Sequence, residues 1–345
     1  MSSVVVSLIA GVSHNLFRKR DEMNAACLIC QNAEHNRIIT AREMMFGLRK
    51  EFSYLECSNC GTIRLLDVPE LDVYYPPEYL SMRRIDDIDI AATTSRRIAA
   101  RFAGRYLRGE HCLIGKTVLA LKPWVADHYP PSLRPLKLKS KSRILDVGCG
   151  TGRLLETLHY FGFRKLSGAD AFVSREIMTP SGIRIKPQGL SEIEGEYDLV
   201  MLHHVFEHLP DPKAALCEIH RLLASGGTAL IRMPIASFAW EEYGTHWVQL
   251  DPPRHLFIFR EKTFVDLAKS AGFAVKDVIF DSTAMQFWGS EQYRRDIPLN
   301  DPRSHDHGRE GTVFPPEKLR EWDAAARDLN KEQRGDQACF YLQKA

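Results

Sequence analysis

No apolar run in the 345 residues approaches the roughly 20 needed to cross a bilayer. A membrane-spanning helix is therefore not expected. Charge of one sign is also scarce: the formal net charge is +2 at pH 7. Whole-chain electrostatics gives no reason to expect a nucleic-acid partner. The apolar start, Val4 to Gly11, lacks the preceding basic residues of a secretory signal; Arg18, Lys19 and Arg20 come after it. Residues 1–22 read as a disordered leader, with Met23 as an alternative start. Without a targeting signal the chain is expected in the cytoplasm, where thiols stay reduced. No internal repeat is visible.

What is present is concentrated in Arg143-Ile-Leu-Asp-Val-Gly-Cys-Gly-Thr-Gly-Arg153. It reads as a buried strand, a carboxylate, then a glycine turn opening a helix. Gly148, Gly150 and Gly152 remove side chains where a ligand meets backbone. The dinucleotide fingerprint G-x-G-x-x-G requires a glycine at 153, where this chain has Arg153. Asp146 ahead of the turn repels a diphosphate and suits a cationic ligand. A second short strand, 165–169, ends at Asp170, 20 residues beyond Gly150 and placed to accept ribose hydroxyls. An acidic residue, a glycine turn and a second carboxylate together point to S-adenosylmethionine (SAM). The expected cofactor contacts are Asp146, Gly148, Cys149, Gly150, Gly152, Asp170, Ala171, Leu190, His203 and His204.

These motifs resemble the class I SAM-dependent methyltransferases from residue 140 to 345. The resemblance extends to Tyr197-Asp-Leu-Val-Met-Leu-His-His-Val-Phe-Glu-His-Leu-Pro-Asp211 and Leu222-Leu-Ala-Ser-Gly-Gly-Thr-Ala-Leu-Ile-Arg232. It implies a Rossmann-like, seven-stranded, mostly parallel sheet with an antiparallel terminal strand. Strands are expected near 143–148, 165–170, 183–187, 198–203, 228–233, 274–281 and 337–343, with helices near 151–161, 212–224 and 261–272. Residues 283–336 read as a polar, loop-rich insertion with a helix near 316–329. Trp247-Val-Gln-Leu-Asp-Pro-Pro-Arg-His-Leu-Phe257 and Gly335-Asp-Gln-Ala-Cys-Phe-Tyr-Leu342 are similar to a zinc-ribbon-bearing group associated with sugar and polysaccharide modification.

Of the eight cysteines, four form two C-x-x-C knuckles, Cys27/Cys30 and Cys57/Cys60. In a reducing compartment this reads as a structural, tetrahedral zinc site. Arg37–Thr40 and Phe52–Glu56 alternate like the strands of a hairpin between the knuckles. The reading gives a zinc-ribbon module at 23–80, a helical, basic linker at 81–139 and a methyltransferase domain at 140–345. Within the linker, Ile98, Phe102 and Tyr106 recur at helical spacing. Between Thr93 and Leu145 there are 12 Lys and Arg against Glu110 and Asp127. That imbalance fits a solvated face, an anionic acceptor or an anionic surface.

Catalytic candidates lie after the strands, where ligands of open α/β sheets bind. His204 is taken as cofactor-proximal, with Glu207 and His208 as a structural helix-start pair. His255 is the candidate general base, and His246 is a further candidate in the aromatic loop 240–259. The leading function is methyl transfer to a small-molecule or glycan acceptor, such as a sugar, a nucleotide-sugar or a polysaccharide precursor. RNA methylation and a non-catalytic scaffold are the alternatives. An N-P-P-Y-type motif is absent after the fourth strand, which argues against exocyclic amine chemistry.

Overall fold

The computed structural model describes residues 26–75, 93–305 and 313–345. The leader at 1–22, the proline exit from Pro76 and the first part of the linker region, through residue 92, lie outside the described residues. Among those described, no helix is long and apolar enough to cross a membrane.

Among the described residues, twelve strands form two sheets. The smaller contains β1 (Arg37–Arg42), β2 (Glu51–Glu56), β3 (Ile63–Leu65) and β10 (Phe257–Ile258), in that order. The larger contains β4 (Arg143–Val147), β5 (Lys165–Ala169), β6 (Ile177–Met178), β7 (Arg184–Lys186), β8 (Tyr197–His203), β9 (Leu223–Pro234), β11 (Phe273–Phe280) and β12 (Gln337–Lys344). Its order is β11-β12-β9-β8-β4-β5-β7-β6. The contacts β7/β5, β5/β4, β4/β8 and β8/β9 are parallel, and β12 inserts antiparallel between β9 and β11. This is the expected methyltransferase sheet. The two-residue strand β6 adds an antiparallel edge to the seven expected strands.

The two central strands β4 and β8 are buried on both sides, as parallel strands covered by helices must be. Leu199, Val200, Met201 and Leu202 of β8 are all inaccessible to solvent. Helices Arg153–Tyr160, Pro212–Leu222 and Glu261–Ser270 fall where the sequence pattern puts them. Asp211 caps the second of these by accepting from the Ala214 amide at 2.9 Å.

Packing completes one expectation, the linker helix, and corrects another, the loop-rich insertion. The helix Thr94–Leu107 does not bury the Ile98–Phe102–Tyr106 stripe; Ile98 is 53% exposed and Tyr106 41%. Its inner face is Ala99, Ala100, Ala103 and Gly104, because the helix lies directly on backbone. A Cβ on Gly104 would stand 2.1 Å from the Phe161 carbonyl oxygen. The insertion is not loop-rich among its described residues. Beyond the helix Pro316–Lys331 it contains a second, Met285–Arg294, whose Gln286, Phe287, Trp288, Gly289, Ser290, Gln292 and Tyr293 are buried.

The ribbon also has closer ties to the larger sheet than a module ending near 80 suggests. β10, from the far half of the chain, pairs with β3 and completes the ribbon sheet. Tyr54, Ile63 and Leu65 share one apolar cluster with Trp240, Trp247, Phe257 and Phe259.

Candidate active site

Asp146 lies inside β4 and is 3% exposed. Burial, with the Asp170 charge adding to it, pushes its carboxyl up to about 8. The turn beyond it is left-handed at Gly148, Gly150 and Gly152, with φ of 70°, 54° and 87°. The glycines serve packing within the protein as well as ligand approach. A Cβ on Gly148 would stand 2.3 Å from Cγ2 of Val205, and one on Gly152 would stand 2.8 Å from Cδ1 of Ile185. Asp170, raised by burial against the pull of its backbone donors, braces the turn. It accepts from the Gly150 amide at 2.7 Å and from the Phe172 amide at 2.8 Å. Two buried carboxylates thus face each other at one glycine turn, an arrangement that a cationic ligand relieves. Cys149 is held as a neutral thiol, since burial and both carboxylates push it up. Ala171 is half-buried beside Asp170, and Leu190 opens the turn Leu190–Glu192 against the main core.

β8 delivers the second half of the site. His203 ends the strand, and burial, then Arg232 and His204, push its imidazole down to about 3. His204 adopts φ 54°, which swings its side chain out of the strand alternation. Its Nε2 accepts from Arg232 Nη1 at 2.7 Å, and its Nδ1 lies 3.3 Å from Glu207 Oε1. Arg232 is itself held by Asp281 at 2.6 Å. Within the protein, His204 therefore spans Arg232 and Glu207.

The turn Phe206–His208 and the loop 249–256 then converge. Glu207 is fully buried, and its amide carbonyl accepts from the Leu256 amide at 2.8 Å. Burial pushes its carboxyl up, but His204, His208 and His255 outweigh this and hold it near 2. His255 is buried, and burial followed by the neighbouring His208 pushes it down to about 4. It is thus the neutral imidazole that the base reading needs. Its orientation differs from that reading, however. Nδ1 contacts the Gln249 carbonyl at 2.8 Å, and Nε2 faces Glu207 at 3.8 Å and Asp251 at 4.0 Å.

Arg254 is not a surface neighbour of His255. It is fully buried, donates to Asp251 at 2.8 Å and to Glu43 of the ribbon at 3.0 Å, and reaches the Tyr74 carbonyl. It is committed to these partners and does not reach toward an acceptor. His246 is separated from the cluster. It lines a cavity of about 190 Å³ at the ribbon edge with Thr40, Arg42, Glu51 and Tyr293.

Glu207 and His208 were legible as residues but not as a site, and Glu43 was not singled out at all. The signal was Glu-His directly after the fourth strand; its partners are 40 or more positions away. Tyr75 links this cluster to the cofactor side. Its ring stacks on Phe172, two residues beyond Asp170, at 4.9 Å, and its hydroxyl lies 3.2 Å from His208 Nδ1.

At the ribbon tip the four cysteine sulfurs all lie within 4.8 Å of one another, with Cys27–Cys60 at 3.6 Å and Cys30–Cys57 at 3.5 Å. A tetrahedral zinc with Zn–S of about 2.3 Å spaces its sulfurs about 3.8 Å apart. The donor set and spacing fit that ion. A 3.9 Å contact from Asn32 and a 3.5 Å contact from the Cys60 amide on Cys57 Sγ supply outer support.

Residues 126–278 match the family model of a methyltransferase domain. A ubiquinone biosynthesis O-methyltransferase of Ruegeria pomeroyi is 30% identical over 186 residues, covering 46% of this chain and 70% of that protein. One of the same name from Ruegeria sp. (strain TM1040) is 30% identical over 163 residues, 40% of this chain and 66% of its own length. This chain thus spans just under two thirds of that relative. A SAM-dependent methyltransferase structure from Mesorhizobium loti covers 62% of the chain at 15% identity, with a TM-score of 0.39. The matched stretch contains the glycine turn, both carboxylates and the Glu207–His255 cluster, and the sheet has the order this fold requires. The chain belongs to the class I SAM-dependent methyltransferases.

Proposed function

We propose that this chain transfers the methyl group of SAM to a hydroxyl oxygen of a small-molecule acceptor. The observation that carries the reading is the pairing of Asp146 and Asp170 at the glycine turn with the Glu207–His208–His255 cluster one loop away. The first can hold a sulfonium cofactor; the second can take up or direct an acceptor proton. Asp170 keeps lone pairs for the ribose hydroxyls beyond those used by Gly150 and Phe172. Gly148, Cys149, Gly150 and Gly152 present backbone, while Ala171, Leu190, His203 and His204 flank the cofactor.

The names of the relatives favour an oxygen acceptor on a small molecule. A sugar or nucleotide-sugar is the finer reading, and a second cavity of about 530 Å³ favours it. Phe238, Tyr243, Phe287, Phe314 and Trp322 wall this cavity, with Glu242, Arg295 and Lys318 at its polar edge. Apolar ring faces with a few charged groups suit a sugar ring. Nucleic acid has less support. Arg105 and Arg108 of the basic stretch are paired with Glu110, and Arg143 with Asp198. The four cysteines hold a structural zinc in this reading.

The test uses SAM carrying a labelled methyl group with two acceptor panels, one of phenols and catechols and one of nucleotide-sugars. Label transfer to either identifies the class. Transfer to RNA alone, weakening steeply with salt, would replace the reading.

A further inference from the structure

The Glu207 cluster has an unsatisfied carboxylate. Glu207 is fully buried, yet neither carboxylate oxygen has a hydrogen-bond partner among the described residues. His204 Nδ1, which carries the ring proton because Nε2 accepts from Arg232, stands off Oε1 at 3.3 Å, a long approach. Oε2 has no donor among the described residues, so a buried carboxylate is left with lone pairs to spare for a further partner.

The two neighbouring imidazoles show what that is. His208 Nδ1 lies 2.7 Å from the Arg254 carbonyl, and His255 Nδ1 lies 2.8 Å from the Gln249 carbonyl. A carbonyl only accepts, so both rings carry their proton on Nδ1 and keep a lone pair on Nε2. For His255 that lone pair faces Glu207 across 3.8 Å. Ring nitrogens committed to carbonyls are how metal-ligating histidines are held. One ligand atom each from Glu207, His208 and His255 lies within 4.8 Å of the other two. Adjacent Glu207 and His208 converge because the chain turns tightly at 206–208, and His255 closes the set from the second loop.

We propose that Glu207, His208 and His255 form a second metal site, distinct from the four cysteines, that takes a divalent first-row transition-metal ion. Two imidazoles and one carboxylate are a donor set for such ions, and three protein ligands leave a position open. The site borders the cofactor region, since Val205 packs on Gly148 and Tyr75 joins His208 to Phe172. Resting on the methyl-transfer reading above, the open position receives the acceptor hydroxyl. The cation favours loss of its proton to water. The oxygen then forms a bond to the methyl carbon as the carbon–sulfur bond breaks, and that electron pair stays on sulfur.

The test is a count of ions on the full chain, freed of metal and titrated with Co(II). The cysteine site gives intense thiolate charge-transfer absorption, and a nitrogen–oxygen site does not. The expected result is two equivalents per chain, only one carrying the thiolate band. Glu207→Gln and His255→Ala are each expected to weaken the band-free equivalent at least tenfold and to leave the thiolate equivalent intact. A wild-type chain that binds only the thiolate equivalent overturns the proposal, whatever the variants do. So does a band-free equivalent that survives both substitutions, because that ion sits elsewhere. SAM calorimetry on the same samples separates the two ideas: a second ion without SAM binding would sink the methyl-transfer reading and leave the metal site standing.

Discussion

Asp146 is the residue whose chemistry is most exposed to experiment. Its folded-state pKa, about 8, lies above the ordinary 3.8. The native protein therefore holds a proton there that the unfolded chain releases. The contribution of this group to stability falls as pH rises from the unfolded value through about 8. A cationic ligand reverses the balance by favouring the ionised carboxylate. SAM binding near pH 7 is accordingly expected to expel a proton. Calorimetry in two buffers of different ionisation enthalpy reads this directly, and Asp146→Asn should abolish the difference between buffers. Equal heats for the wild type would remove Asp146 from the cofactor site. Asp170→Ala removes the brace on the Gly150 amide and, on the proposed reading, the ribose acceptor. Hydrogen bonds to charged groups contribute about 1.5–3 kcal/mol, so SAM affinity should fall roughly ten- to a hundredfold. An unchanged dissociation constant would leave Asp170 with no cofactor role.

Individual elements show where sequence was enough and where it was not. β4 and β8 were legible because parallel strands buried on both faces give apolar runs bounded by glycine and charge, whereas the antiparallel β12 was placed by resemblance. The glycine turn after β4 was legible because three alternating glycines permit the left-handed backbone found at 148, 150 and 152. The helix Thr94–Leu107 was legible as a helix from its spacing, but the face it buries was not: its core face is built from small residues, while Ile98 and Tyr106 are exposed. Gly104→Ala should therefore destabilise the protein even though alanine is the better helix former, because the new Cβ meets backbone at 2.1 Å. A loss of about 1–3 kcal/mol is expected in chemical denaturation, against near-neutrality for Ile98→Gln on the exposed face. The reverse ranking would restore the Ile98 stripe as the buried face. The Glu207 cluster was illegible because its geometry depends on a left-handed His204 and on a loop nearly 50 residues downstream. No local pattern encodes that meeting.

At the scale of the whole molecule, the ribbon is tied by direct contacts to the loop 249–258, where the proposed acceptor site lies. β10 completes the ribbon sheet, and Tyr54 donates to the His255 carbonyl at 3.1 Å. Thr263 donates to the Cys60 carbonyl at 2.6 Å, and Glu43 holds the buried Arg254. A partner removed from a buried ion pair typically costs about 3–5 kcal/mol. The ribbon has a small core of its own in Cys27, Leu55 and Cys57, so an ion held by the four cysteines would supply much of its order. Cys60→Ser, which breaks up that cluster, is therefore expected to act beyond the ribbon tip. Amide exchange should quicken in the ribbon and also across 249–258, where His255 and β10 lie, while β4 and β5 keep their protection. Methyl transfer should fall at least tenfold with SAM affinity nearly unchanged, since the glycine turn takes no support from the ribbon sheet. If exchange quickens only within 26–66 and turnover survives, the ribbon is a separable module and its contacts to the acceptor loop carry no functional coupling.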